Sequence, residues 1–133
     1  MPTQPDQKGY HTVTPYLIVP NVPKLLEFLT QAFDARERYR KLRPDGSVMH
    51  AEAAIGDSII MMGEPNDKVG PMPASIFLRV DDCDTAYNKA LKAGATSLSQ
   101  PTDFPQAAER YGGLLDPCGN RWWPASPIAA ATT

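Results

Sequence analysis

Between Val22 and Phe33 the apolar residues Leu25, Leu26, Phe28, Leu29 and Phe33 recur at helical spacing, and this predicts an amphipathic helix over Val22–Phe33. Asn21 is placed to cap it, and Pro23 falls in the first turn, where its missing N–H costs nothing. Around this helix the pattern changes to short apolar runs broken by turn residues. "TVTPYLIV", residues 12–19, is β-rich, and its Pro15 points to an edge or a bulge. Residues 36–42 and 48–54 read as two strands joined at Pro44-Asp45-Gly46, and "SIIMM" follows the Gly56-Asp57 turn as a fourth. A Pro- and Gly-containing loop, residues 63–73, then separates this half from the next.

The second half repeats the order. "SIFLRV", residues 75–80, reads as a strand, and Asp81 or Asp82 caps a helix over residues 84–93 that carries Ala86, Tyr87, Ala90 and Leu91 and ends at Gly94. Residues 96–99, 110–115 and 120–123 read as the remaining strands. Three anchors support a duplication: "LIVPNV" with "LRVDDC", "AFDA" with "KAGA", and "IGDSI" with "CGNRW". The predicted fold is α+β, with tandem βαβββ modules rolling a mixed sheet around a concave cup and helices on the outside. Module one spans about 12–63, the linker 64–73 and module two about 74–124. Residues 1–11 and 125–133 read as tails.

The bulk numbers narrow the function classes. With 133 residues the chain has the length of one domain, and a net charge of −2 without basic clustering argues against a nucleic-acid partner. The run of arginines from Arg36 to Arg43 alternates with Glu37, Tyr39 and Leu42, as a solvated strand edge does. No stretch is apolar enough for a membrane span, and "MPTQPDQKG" has no signal core. Cys83 and Cys118 are too few for a disulfide framework and read as reduced thiols, so the expected location is cytoplasmic.

The doubled βαβββ order, "AGA" after the second helix and the turn "DPCGNRW" before the last strand resemble the vicinal oxygen chelate superfamily. That superfamily includes glyoxalase I, bleomycin-resistance proteins and extradiol dioxygenases. "MHAEAAIGDSIIMM" and "ERYGGLLDPCGNRWW" are most similar to its PhnB-like branch. The resemblance implies a cup for a small molecule and, in the enzymes, a divalent metal held by His, Glu or Gln. Carried over one at a time, the ligand positions fall at Thr14 or Pro15, at Ile60, at or next to Ser75, and at Trp123. These offer only hydroxyls, so the usual metal is not expected.

Strand alternation puts Arg121 and Trp123 on one face and Trp122 on the other. Trp123 is then expected to look into the cup, either as a flat wall for a planar ligand or simply as filling, while Trp122 packs beneath its helix. His50 and Glu52 lie two apart on one strand, compatible with a base and its orienting carboxylate, with two ligands of a non-standard metal site, or with ordinary strand contacts. His11 reads as surface. Arg110 and Tyr111 are candidate ligand contacts or local packing, and one of Met61 and Met62 must point to the cup. The favoured reading is a cofactor-free small-molecule-binding protein, a homodimer as superfamily members usually are. The alternative is a lyase, isomerase or dioxygenase with an unusual metal or with His50/Glu52 acid–base chemistry.

Overall fold

The structure is a computed structural model and describes residues 8–128, so most of the expected N-terminal tail and the last five residues lie outside the described residues. Module one consists of β1 (Tyr16–Ile18), α1 (Val22–Phe33), β2 (Arg36–Leu42), β3 (Val48–Ile55) and β4 (Ser58–Gly63). Module two consists of β5 (Ser75–Arg79), α2 (Cys83–Lys92), β6 (Thr96–Phe104), a single 3-10 turn at Pro105–Ala107, β7 (Glu109–Leu115) and β8 (Arg121–Pro127). The chain is α+β, two βαβββ modules in tandem. Its strands form two separate mixed sheets ordered β1-β4-β3-β2 and β5-β8-β7-β6, with the first strand of each parallel to the last.

α1 has the bounds the apolar spacing predicts. The Asn21 side chain accepts from the Lys24 N–H, and Asp34 closes the helix in the left-handed region. A second brace was not legible: the Glu64 carboxylate accepts from the Val22 N–H at 2.8 Å and from the Val48 N–H at 2.6 Å, tying the helix start to β3. α2 is capped by Asp82 rather than Asp81.

Two strands outrun their expected ends. β6 continues past Ser99 to Phe104 across Pro101, which an edge strand tolerates because its outer N–H has no ladder partner to lose. β8 continues past Trp123 to Pro127, because β7 starts at Glu109 and pairs with those extra residues. Ala125, expected in the tail, is fully buried.

One apolar cluster runs through both modules. Leu17, Ala51, Ile60 and Met62 cover α1 from below, Leu114 and Trp122 cover α2, and the two helices pack on each other. Phe33 meets Trp122 at 5.3 Å between ring centroids, across the module boundary. The modules therefore join by their helix-bearing faces. The ring contacts on the helix-free faces, among the described residues, stay within one module. No helix among the described residues is long and apolar enough to cross a membrane.

Candidate functional site

The Asp-Pro-Cys-Gly-Asn turn sets the start of β8. Gly119 takes φ +94°, which Cβ-bearing residues rarely adopt. The buried Asp116 carboxylate accepts from the Cys118 and Asn120 N–H groups through Oδ1, and from Asn120 Nδ2 and Trp122 Nε1 (2.7 Å) through Oδ2. Asn120 in turn accepts from the Ala74 N–H, anchoring β5. Trp122 is thereby locked into the core, and alternation turns Trp123 to the opposite, helix-free face.

On that face Trp123 joins an aromatic group that no single motif announced. Phe77 is its register partner on β5, and Tyr111 from β7 meets Trp123 edge-on at 6.5 Å. Phe77 also meets Tyr111 edge-on at 5.4 Å, and Phe104 stacks on Tyr111 at 4.2 Å. Trp123 Nε1 donates to Ser75 Oγ at 2.8 Å. Its ring lies directly over Gly113, where any Cβ would collide with it. The neighbouring Gly112 makes the same kind of room for Tyr87 on the helix side. Phe77 keeps 42% of its surface exposed, so the wall remains open.

The helix-free face of module one is polar at its centre. Glu52 is 2% exposed, and His50 Nε2 lies 2.8 Å from its Oε2. The Tyr16 hydroxyl lies 3.0 Å from His50 Nδ1. With Glu52 ionised and the imidazole neutral, Nε2 carries the ring proton toward the carboxylate, Nδ1 is the acceptor, and the Tyr16 hydroxyl donates to it. Tyr39 flanks the His50 ring from β2. Tyr10 covers Glu52: its hydroxyl is buried beside the carboxylate without a well-formed hydrogen bond, and burial together with that charge raises its pKa. The pair His50–Glu52 was visible in the sequence, but Tyr16 was not, because only the parallel pairing of β1 with β4 brings it alongside β3.

The other candidates divide between the two faces. Met61 pairs with Tyr16 and Glu52 on the helix-free face, while Met62 is fully buried under α1. Arg110 points away from the aromatic wall. It binds Asp84 at the start of α2 (2.8 and 3.2 Å) and Asp103 (3.0 Å), which holds the Asp84 carboxyl below its usual range. The adjacent Glu109 pairs with Arg79 instead. Arg121 is exposed at the head of β8, level with Ser75. His11 is exposed, and its ring binds the Asp57 carbonyl. Both cysteines are free thiols, each raised in pKa chiefly by burial.

A crevice of about 640 Å³ lies at the seam between modules among Asp34, Arg36, Asp57 and Arg79, away from His50. A hollow of about 310 Å³ opens beside Tyr16, bordered by Ile18, Arg43, Met49 and Val69.

A divalent metal at the superfamily positions does not fit the residues present. Counting from Gly56 puts Ile60 opposite Trp123, but strand pairing corrects this. Met61 sits against Tyr16 as Trp123 sits against Phe77, while Ile60 lies in the core. The side chains at these positions offer a thioether, an indole N–H without a free lone pair, the Ser75 hydroxyl that already holds it and, at Thr14 or Pro15, at most one further hydroxyl, a poor set for a hard or borderline cation. Among the described residues no three of His, Cys, Asp and Glu converge.

Comparison with known proteins places this geometry. The family model for the Glyoxalase/Bleomycin resistance protein/Dioxygenase superfamily matches residues 9–123. An uncharacterized protein of Mycobacterium bovis is 31% identical, with 87% of this chain and 83% of that protein covered. Among solved structures, TioX from Micromonospora sp. ML1 is similar with a TM-score of 0.71 at 20% identity, covering 92% of this chain and 100% of that one. A PhnB protein from Bacillus cereus is similar with a TM-score of 0.68 at 20% identity, covering 87% and 99%.

Proposed function

Since the chain belongs to the Glyoxalase/Bleomycin resistance protein/Dioxygenase superfamily, we propose that it binds a small planar or amphipathic molecule on its helix-free sheet faces, without a metal at the superfamily positions. One observation carries this reading: Phe77, Phe104, Tyr111 and Trp123 form an open aromatic wall, with Trp123 pinned by Ser75 and seated on Gly113. A ring held this way loses little freedom when a ligand stacks on it, so most of the contact energy appears as affinity. Titration of the protein with planar aromatic compounds, followed by tryptophan fluorescence, tests the reading. No saturable response from any of a panel of such compounds would end it.

The cup is completed by a second copy. Each chain spends its helix-bearing faces on joining its own modules, which leaves two concave faces uncovered, with Tyr16 45% and Phe77 42% exposed. Pairing module one of one copy with module two of the other covers both at once and closes two equivalent cups, as a two-fold dimer requires. The protein should sediment as a homodimer at micromolar concentration. Phe77→Glu should shift it to a monomer with native far-UV circular dichroism. A wild type that sediments as a monomer while binding ligand normally would remove the shared cup. Two free thiols suit a cytoplasmic location.

A second reading is an acid–base enzyme, favoured by the hydrogen-bonded line from Tyr16 through His50 to Glu52. Metal content separates it in part. Protein purified without chelator should carry well below one equivalent of nickel, zinc, iron or manganese. Stoichiometric metal that is lost in His50→Ala would favour an enzyme with a non-standard centre.

A further inference from the structure

We propose that the Tyr16–His50–Glu52 line is a proton-accepting station that selects planar ligands bearing a weakly acidic hydroxyl, phenols or enols, and holds them as their anions. This rests on the cup reading above and names the ligand class within it.

Glu52 accepts from His50 Nε2–H, and His50 Nδ1 accepts from Tyr16, so the Tyr16 oxygen has its own proton turned inward and its lone pairs free toward solvent. It is therefore set to accept a hydrogen bond from a ligand hydroxyl. Space exists for that group: the hollow beside Tyr16 measures about 310 Å³, near the lower limit of small-ligand sites. Gly63 keeps the approach open, since a Cβ there would come 3.3 Å from the Tyr16 oxygen and 2.8 Å from the Met49 carbonyl oxygen.

The proton movement balances without any co-reactant. The ligand O–H bond breaks and its proton forms a new O–H bond on Tyr16. The original Tyr16 proton moves to His50 Nδ1. The result is a ligand oxyanion, a neutral tyrosine and an imidazolium whose other N–H rests on the buried Glu52 carboxylate. That buried carboxylate, 2.8 Å from Nε2, supplies the charge the imidazolium needs. Partial burial raises the pKa of Tyr16, against the pull of Arg43 and with the help of Glu52, so the phenol passes protons on rather than standing ionised.

Tyr39 flanks the imidazole from β2, and Lys41 is its register partner on the same strand. Tyr10 covers Glu52, and Arg38 lies over the Tyr10 ring at 5.9 Å. Arg43 borders the hollow and favours an anion there.

4-Nitrophenol reads the proton directly, because its phenol and phenolate absorb at different wavelengths. At a pH about one unit below its free pKa, the wild-type complex should show mainly the phenolate band. His50→Gln and Tyr16→Phe should bind it within about tenfold of the wild type, through the aromatic wall, but show the phenol band. Glu52→Gln should fall between. Saturable binding with the same band in wild type and both variants overturns the station while leaving the cup intact. If other planar compounds bind and 4-nitrophenol does not, the ligand class is wrong. If nothing planar binds, the cup reading fails and takes this inference with it.

Discussion

Asp116→Ala should destabilise the protein by about 3–5 kcal/mol, through stranded donors rather than lost packing. Four donors converge on this carboxylate, and those of Trp122 and Asn120 are buried where water cannot replace it. Each buried donor left unpaired costs about 1–3 kcal/mol, and the turn that aims β8 loses its anchor as well. For a domain of this size the melting temperature should fall by about 10–20 °C. Asp116→Asn retains one acceptor oxygen and should cost less. Trp122→Phe removes the indole donor, so the double variant Asp116→Ala/Trp122→Phe should lose less than the sum of the two single changes. Calorimetric melting of the four proteins checks this. An Asp116→Ala protein melting within a few degrees of the wild type would mean that the turn holds without its carboxylate.

Trp123→Ala should weaken planar-ligand binding about thirtyfold, equivalent to about 2 kcal/mol, while leaving the melting temperature nearly unchanged. The two effects separate because Trp123 lies on the helix-free face and contributes nothing to the shared core. Trp123→Phe keeps a ring over Gly113 and loses only the bond to Ser75, so it should cost less than about fivefold. Isothermal titration with a compound that quenches the wild-type fluorescence provides the number. Affinity within twofold of the wild type in Trp123→Ala would place the ligand elsewhere.

Much of the frame was legible because it rests on local chemistry. The apolar spacing over Val22–Phe33 can only bury one stripe, Asn21 can satisfy the first turn, and Pro44-Asp45-Gly46 can only reverse the chain. Alternation separated Trp122 from Trp123 correctly, since a period of two leaves no other choice once a strand is recognised. The His50–Glu52 pair was readable for the same reason. Length was harder. β6 and β8 run on because their partners do, and pairing across a sheet carries no local signal.

The candidate site was legible only in part. For Arg110 the sequence left a ligand contact and local pairing both open, and only the fold brings Asp84 of α2 against it. Counting from Gly56 favoured Ile60 as the counterpart of Trp123. The two modules reach their last strand through turns of different length, and the pairing of β1 with β4 moves the match to Met61. Phe77, Phe104 and Tyr16 stand alone in sequence, and only strand pairing gives them partners.

By itself the sequence determined the tandem modules, the two helices with their caps and the faces of the tryptophans. Each of these follows from residues within a few positions of one another. Only the tertiary structure decided that the modules join by their helix-bearing sides, that four aromatic rings share a wall and that Tyr16 completes a line to Glu52. Those contacts bridge residues up to 46 apart within a module, as from Phe77 to Trp123, and about 90 apart between modules, as from Phe33 to Trp122. They exist only once strand pairing and core burial have chosen one arrangement among many.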